Sequence, residues 1–386
     1  MANNCLFLCR TGFIMILSVL LISSCKTEDK KAGFTAPESL VPFTSMRHYV
    51  CYQAPHPITV DGRLTDEEWG QAAWTDYFVD IEGSKKPVPA FKTRIKMLWD
   101  PEYLYIGAWM EEEHIWARLK QRDTVIFYDN DFEVFIDPDW DTHQYFEIEI
   151  NALNTVWDLM LIKPYRDGGP AIDAWDIAGF KSAVHLDGTL NDPTDLDNAW
   201  YLEMAIPISV LSEGYAPAYA PAAGKQWRIN FSRVEWNTFI ENGNYRKVLN
   251  PESGKPLPEM NWVWSPQGYI NMHMPEFWGI LQFSDLKAGD GEDTYQPDPD
   301  LEKYGFLRMI YYAQQQYLQN KQTYAGELSA LELDETVLVS YAAGTRLEAC
   351  SYGYTVSLPS GRKGYSLVLN ELGKIERIPD DYTPQN

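Results

Sequence analysis

The sequence is short of basic residues and of metal-ligand patterns. Its 386 residues include 32 Lys and Arg against 55 Asp and Glu, which gives a formal net charge of -23. This charge would repel phosphate backbones and anionic lipid headgroups, so it excludes DNA, RNA and charge-driven membrane binding. A nucleotide-type glycine loop is absent. His114, His143 and His273 lie too far apart in the sequence to form a ligand pattern such as HxxxH.

Cysteine is also scarce in the body of the chain. Cys5 and Cys9 belong to an N-terminal leader and Cys25 ends it, so only Cys51 and Cys350 remain. Two cysteines about three hundred residues apart make no disulfide framework. A disulfide between them could form outside the cytoplasm, but two small buried hydrophobic residues are the favoured interpretation.

Long apolar runs are missing too. The run at 13–22, preceded by Arg10, is short for a membrane span and typical of a secretory signal. It ends in ISSC at Cys25, which resembles the lipobox of bacterial lipoproteins and implies a lipid-anchored mature chain. We therefore expect a signal peptide at 1–24, a tether at 25–46 and a bacterial outer-membrane lipoprotein, periplasmic or surface-exposed. An ordinary cleaved signal with an accidental cysteine is the alternative.

Short strand-like segments dominate the centre of the chain. They are rich in β-branched and aromatic residues and are separated by Gly, Pro, Asp and Asn, a pattern that predicts a β-sandwich rather than βαβ units. We place this mainly β domain at 47–284. The predicted strands include residues 93–99, 103–109, 132–137, 145–151, 156–162, 200–206 and 227–234.

A composition change at 285–300 predicts a linker, because Gly, Pro and acidic residues replace the aromatics there. Beyond it, residues 301–319 carry a helical apolar stripe. Three further segments resemble strands, so we predict a small α+β domain at 301–386. These segments are residues 337–340, 352–358 and 365–369.

The stretch 129–151, DNDFEVFIDPDWDTHQYFEIEIN, contains eight acidic residues. Read at period two, Phe132, Val134 and Ile136 share one face of a strand, and the acids share the other. A connecting loop at 138–142 predicts a register in which Phe135 faces Tyr145, Glu133 faces Glu147 and Asp131 faces Glu149.

Like charges placed opposite each other destabilise a sheet. We therefore expect compensation by an Arg, a cation or a ligand rich in hydroxyl groups. The segment 227–234 could supply Arg228, Asn230 and Ser232 on one face or Arg233 on the other.

Three interpretations of the acidic stretch remain open from the residues alone. It could be the solvated face of a sheet. It could instead hold a catalytic pair, Glu133 with Glu147, as in glycoside hydrolases. Finally, Asp137, Asp139 and Asp141 offer hard oxygen ligands suited to a structural calcium ion, although the EF-hand pattern is absent.

Six motifs follow one another along the chain, namely ITVDGRLTDEEW (58–69), IKMLWDPEYLYIGAWM (95–110), NDFEVFIDPD (130–139), WYLEMAIP (200–207), WRINFSRVEW (227–236) and MPEFWGILQF (274–283). Together they resemble the family 9 carbohydrate-binding modules, and more closely the bacterial carbohydrate-binding family 9-like proteins. The resemblance implies a DOMON-like β-sandwich that binds sugars and works beside glycoside hydrolases.

In sugar-binding members of that family, two Trp rings clamp a terminal sugar while Glu, Arg and Asn bind its hydroxyls. The Glu corresponds to Glu133, inside EVFID, and the Asn to Asn151. The Arg position holds Glu149 here. The first Trp falls near Phe127 or Tyr128.

The second Trp position holds Met272, and Tyr269 or Trp264 could substitute for it. With the family Arg position occupied by an acid, Arg233 is the basic residue we expect in the site. Further tryptophans lie in or beside loop-like stretches and are candidates for the surface, namely Trp140, Trp157, Trp175 and Trp236.

The combined prediction is a non-catalytic carbohydrate-binding lipoprotein at the cell surface or outer membrane that supports polysaccharide breakdown. Its partners would be an oligo- or polysaccharide, the membrane lipid at Cys25 and glycan-degrading enzymes, with no nucleic acid. No cofactor is expected beyond the structural calcium ion. The alternatives are a glycoside hydrolase with paired carboxylates and a structural lipoprotein that kept the sandwich but lost the sugar site.

Overall fold

The computed structural model describes residues 40–211 and 220–381. The predicted signal peptide and Cys25 lie outside these residues. Among the helices described, none combines the length and the apolar character needed to cross a bilayer.

The chain from Val41 to Lys287 is built mainly from strands. Its elements are α1 (Val41–Thr44), β1 (His48–Gln53), α2 (Glu67–Gln71), β2 (Val79–Asp80), β3 (Thr93–Trp99), β4 (Tyr103–Glu111), β5 (Asp131–Asp137), β6 (Tyr145–Asn151), β7 (Val156–Leu161), β8 (Ala171–Ile172), β9 (Lys181–Asp187), β10 (Ala199–Pro207), α3 (Ile208–Leu211), β11 (Gln226–Glu235), β12 (Thr238–Glu241), β13 (Asn244–Lys247), β14 (Met260–Val263) and β15 (Gly279–Lys287).

Thirteen of these strands join into one sheet. Its main path runs β8-β7-β6-β5-β11-β15-β1-β3-β4-β10-β9, and β14 pairs with both β11 and β2. Side chains from both halves of this path, such as Ile106 and Leu202 on one half and Ile148 and Ile229 on the other, share one buried cluster. The sheet therefore folds into two layers around that core, which confirms the predicted sandwich.

The alternation in β5 and β6 positions the acidic face. Phe132, Val134 and Ile136 are buried in the core between the layers, as the period-two pattern predicts. The intervening acids consequently point to the outer face of the sheet.

The predicted register of β5 and β6 is wrong by two residues. The loop between them runs from Pro138 to Gln144 rather than over 138–142, because the Asp137 carboxylate accepts hydrogen bonds from the amides of Trp140 at 3.1 Å and Thr142 at 3.0 Å. Trp140, Thr142 and Gln144 all have positive φ angles in this turn. The observed pairs are Asp131 with Asn151, Glu133 with Glu149, and Phe135 with Glu147.

A buried carboxylate fastens the DGR turn of the first motif to the sheet. Glu203 on β10 accepts hydrogen bonds from the amides of Asp61 at 2.8 Å and Gly62 at 2.6 Å, and from the Trp69 indole at 2.7 Å. Gly62 has φ +87, and a Cβ there would lie 2.8 Å from the backbone of His185. The turn thus requires glycine both for its conformation and for its close contact.

The last part of the chain is the expected small α+β unit. It contains α4 (Leu301–Lys321), α5 (Glu335–Tyr341) and a four-stranded antiparallel sheet of β16 (Arg346–Ala349), β17 (Tyr354–Pro359), β18 (Tyr365–Asn370) and β19 (Ile375–Pro379).

One of its predicted strands is wrong. Residues 337–340 lie in α5, where the Asp334 side chain caps the helix by accepting hydrogen bonds from the amides of Thr336 and Val337. This local cap overrides the strand propensity of a short Val-rich segment.

Helix α4 packs directly against the sandwich. Its Tyr304 ring lies 5.6 Å from that of Trp140, and the buried Arg308 donates a hydrogen bond of 2.6 Å to the Thr142 hydroxyl. The segment 285–300, predicted as a linker, also contacts the sandwich. Strand β15 extends to Lys287, and the Gln296 amide donates a hydrogen bond of 2.8 Å to the Gln282 side chain.

Both cysteines of the described residues are free. Cys51 is buried and Cys350 is exposed. The preferred interpretation of two buried hydrophobic residues is therefore confirmed for Cys51 and wrong for Cys350, which lies just before a surface turn.

Replacing Glu203 by Ala should lower the free energy of unfolding by about 3 kcal/mol, because three donors lose their acceptor. Urea denaturation measures the change. Glu102→Ala is the control, since Glu102 is exposed and its replacement should alter stability by no more than about 0.5 kcal/mol. Equal stability of the two variants would refute the role given to Glu203.

Candidate functional site

A cavity of about 200 Å³ opens on the outer face of the layer that contains β5, β6 and β7. Acidic and aromatic side chains dominate its lining. The lining residues are Phe127, Glu133, Phe135, Glu147, Glu149, Trp157, Tyr165, Val234, Glu259, Asn261, Met272 and His273.

The floor of the cavity is formed by carboxylates from two adjacent strands. Glu133 on β5 lies opposite Glu149 on β6, and Glu147 is two residues along the same face. These three side chains are only 5%, 2% and 4% exposed, respectively. Asp131, on the same face of β5, is completely buried. The interpretation of this face as a solvated sheet surface is therefore wrong.

Burial and mutual repulsion favour the protonated forms of these acids. Burial raises the pKa of Glu133 to about 7, and Glu259 contributes to the increase while the nearby Ser232 hydroxyl opposes it. Burial, followed by repulsion from neighbouring carboxylates, also raises the pKa of Asp131, Glu147 and Glu149 well above the usual range. A cation or a set of hydroxyl donors placed above the floor would stabilise the ionised forms instead.

Other groups of the protein offset the burial and mutual repulsion of these carboxylates only to a small extent. The Phe127 amide donates a hydrogen bond of 2.9 Å to Glu149. Neither carboxylate oxygen of Asp131 accepts a hydrogen bond of normal geometry, although the nearby Val234 amide opposes the increase in its pKa. In the described ranges, no Lys, Arg or His forms an ion pair with any of the four floor acids.

Aromatic rings form the walls. Trp157 on β7 pairs in register with Glu149, so its ring stands beside the floor. Tyr165 is about half exposed and packs edge-on against His273, with ring centroids 4.5 Å apart. The His273 ring is hydrogen-bonded to the Tyr145 hydroxyl at 2.9 Å. Burial and the nearby Arg166 lower the pKa of His273 to about 3, so this ring is neutral at physiological pH.

The C-terminal unit supports one of these walls. Arg166, next to Tyr165, forms a 3.0 Å ion pair with Glu276. Glu276 also accepts a hydrogen bond from the hydroxyl of Tyr312 on α4. The Trp278 indole donates a hydrogen bond of 2.9 Å to the Met272 carbonyl. Helix α4 thereby helps to fix the segment that carries Met272 and His273.

Several residues chosen from the sequence do line the cavity. Glu133 lies at its floor and Phe127 at its wall. Glu149 and Met272, which occupy the Arg and second Trp positions of the resembled family, line it as well. Tyr128 packs against Phe127 with ring centroids 4.9 Å apart, but it is 55% exposed and lies outside the lining.

Asn151 and Arg233 are not available to a ligand there. The Asn151 amide group donates hydrogen bonds of 2.9 Å to the Leu119 carbonyl and 3.1 Å to Asp129. Arg233 points to the other face of β11 and is 1% exposed, where it pairs with Glu112 at 2.8 Å and Glu235 at 2.9 Å. Neither residue lines the cavity.

The aromatic substitutes proposed for the second Trp also lie elsewhere. Trp264 is buried, and a Cβ on Gly279 would come within 2.2 Å of its ring, so the ring packs closely against that glycine. Tyr269 packs against Phe277, with ring centroids 5.5 Å apart. Neither residue lines the cavity.

Trp157 and Tyr165 instead supply the large rings. Trp157 is one of several tryptophans that the sequence analysis places at the surface, and no pattern in the chain distinguishes it from the others. Tyr165 begins a short 3₁₀ turn, Tyr165–Asp167, which carries no periodic signal. Glu259 and Asn261 were also missed, because they reach the cavity from a part of the chain that is distant in sequence from β5 and β6.

Asp137, Asp139 and Asp141 do come together, with oxygens within 4.8 Å of one another. The turn amides of Trp140 and Thr142 bond Asp137, and Lys374 forms a 3.2 Å ion pair with Asp141. The calcium site at this cluster stays a prediction.

Comparison with known proteins supports the family resemblance. The family model described as "Carbohydrate family 9 binding domain-like" matches residues 60–232. No protein among the curated sequences matches this chain.

Solved structures with a similar shape include a candidate carbohydrate-binding protein from Bacteroides uniformis. It is 16% identical, with a TM-score of 0.46, and the alignment covers 62% of this chain and 100% of that one. A family 9 carbohydrate-binding module from Caldicellulosiruptor kristjanssonii in complex with glucose is 15% identical, with a TM-score of 0.37 and coverage of 65% and 100%. The cellotriose complex of a family 9 module from the same organism is 14% identical, with a TM-score of 0.37 and coverage of 64% and 100%.

The family match falls on the strands that build the cavity floor, β5 and β6, and continues to Ser232 on β11. Residues 60–232 of this chain are therefore similar to the carbohydrate family 9 binding domain-like family.

Proposed function

We propose that the chain binds carbohydrate, without cleaving it, in the cavity floored by Glu133, Glu147 and Glu149. The observation that carries this proposal is the combination of buried carboxylates with the rings of Trp157 and Tyr165 in one cavity. The C–H faces of pyranose rings pack on aromatic surfaces, and carboxylates accept hydrogen bonds from sugar hydroxyls. The family match at residues 60–232 supports the same ligand class.

The size of the cavity favours a single ring. Its volume of about 200 Å³ is smaller than the roughly 300–1,000 Å³ of pockets for drug-sized ligands. A terminal sugar residue entering from solvent fits this volume better than the interior of a long polysaccharide.

The placement of the acids favours binding over hydrolysis. Glycoside hydrolases place two carboxyl groups on either side of the bond that breaks. Glu133, Glu147 and Glu149 instead rise from one face of two paired strands, so they approach a ligand from the same side. This arrangement suits a set of acceptors for neighbouring hydroxyls.

The cellular setting is part of the proposal. A lipid on Cys25 would hold the cavity at the bacterial outer membrane, where captured oligosaccharides would be brought to glycan-degrading enzymes. This part rests on the ISSC motif at Cys25 alone.

Replacing Glu133 by Gln should weaken sugar binding at least tenfold, because an ionised acceptor at the floor is lost; this corresponds to about 1.4 kcal/mol. The measurement is a glycan array that includes glucose and cellotriose, followed by calorimetric titration of the strongest hit at pH 8. At that pH Glu133 is ionised, since its pKa is about 7.

Glu252→Gln is the matched control, because Glu252 is exposed and does not line the cavity. Equal affinity of the Glu133→Gln variant and the wild type would contradict the site. Turnover of aryl glycosides by the wild type, abolished in Glu133→Gln, would establish the hydrolase alternative instead.

Replacing Trp157 by Ala should also reduce affinity about tenfold, because the ring that packs against the sugar is removed. Tyr352→Ala provides the control, since Tyr352 is 90% exposed and belongs to the C-terminal unit. The same calorimetric titration compares both variants. If the two substitutions had the same effect, Trp157 would not be a wall of the binding site.

A further inference from the structure

Three groups of acids in the described residues have carboxylate oxygens within 4.8 Å of one another. Two of these groups already contain a basic side chain. Arg122 bridges the group of Asp123, Asp158 and Asp176, with 3.0 Å to Asp176 and 3.6 Å to Asp123. Lys374 plays the same role at Asp141 in the second group. These two groups are neutralised in part by the protein itself.

The third group, Asp131, Glu133 and Glu149, differs from the others. All three side chains are at least 95% buried, and in the described part of the chain none of them has a basic partner. Asp131 is fully buried, and neither of its carboxylate oxygens accepts a hydrogen bond of normal geometry. An ionised carboxylate left in this state is strongly unfavourable, and either a proton or a bound cation can relieve it.

The geometry of this group fits one ion. Calcium binds carboxylate oxygens at about 2.4 Å, so two oxygens on the same ion lie at most about 4.8 Å apart. The three carboxylates meet this limit, and they line or adjoin the floor of the cavity. We propose that Asp131, Glu133 and Glu149 hold a calcium ion at the floor of the cavity.

The ion would also take part in ligand recognition, and this step rests on the proposed function. Calcium accepts six to eight oxygen ligands, so three carboxylates leave positions open toward the cavity. A pair of neighbouring sugar hydroxyls can occupy such positions while Trp157 packs on the ring. The ligand class is therefore a sugar with adjacent hydroxyl groups bound through the ion.

Calcium binding is tested first with calcium chloride alone. The full-length chain is treated with EDTA, desalted and titrated by calorimetry as wild type, Asp131→Asn, Glu149→Gln and Asp176→Asn. The wild type and Asp176→Asn should bind one calcium ion more per chain than the other two variants. Asp176 is the matched control because it belongs to the group bridged by Arg122.

Thermal unfolding supplies a second readout that does not depend on sugar. In EDTA, Asp131→Asn should be at least as stable as the wild type, because one buried acid is removed. Calcium should raise the melting temperature of the wild type by several degrees more than that of Asp131→Asn. Equal calcium stoichiometry and equal stabilisation in the wild type, Asp131→Asn and Glu149→Gln would overturn the site. If either Asp131→Asn or Glu149→Gln failed to fold, the other variant would still be compared with the wild type.

The sugar step has its own outcome. The strongest array hit should bind the wild type at least tenfold more weakly in EDTA than in calcium. Unchanged sugar affinity in EDTA would overturn recognition through the ion and leave the proposed function intact. Calcium binding at Asp131 without any sugar binding would refute the proposed function and support the ion site alone.

Discussion

The burial of four acids on one face of two paired strands is the constraint on which this site depends. Asp131, Glu133, Glu147 and Glu149 are each at least 95% buried, and no basic residue in the described part of the chain pairs with them. Such a group destabilises an unliganded protein. Uptake of protons relieves the group in part, and an external ligand that is rich in hydroxyl groups or positively charged would relieve it further by filling the space above it. The cavity over these strands provides that space.

The rest of the fold holds this face in place. The core between the two layers anchors β5 and β6 through Phe132, Val134 and Ile136. The C-terminal unit adds a second support, because Tyr312 on α4 bonds Glu276, which pairs with Arg166 beside the wall residue Tyr165. The C-terminal unit is thus integral to the shape of the cavity.

Sequence patterns predicted the parts of the structure that depend on local periodicity. Alternation in β5 and β6 identified both faces, and Glu133 followed from the EVFID motif. The register was wrong because the Asp137 side chain organises a longer turn, which no pattern of apolar residues reveals. Sequence patterns could not show that Asn151 and Arg233 lie outside the cavity lining, because their partners Asp129 and Glu112 come next to them only when the chain folds.

The most direct test of the account is a crystal structure of the chain soaked with the strongest glycan array hit in the presence of calcium. We expect a sugar ring in the cavity, with hydroxyl oxygens within hydrogen-bonding or ion-coordinating distance of the floor and its face against Trp157. A sugar bound elsewhere on the molecule, with the cavity over Glu133 occupied only by water, would contradict the central claim.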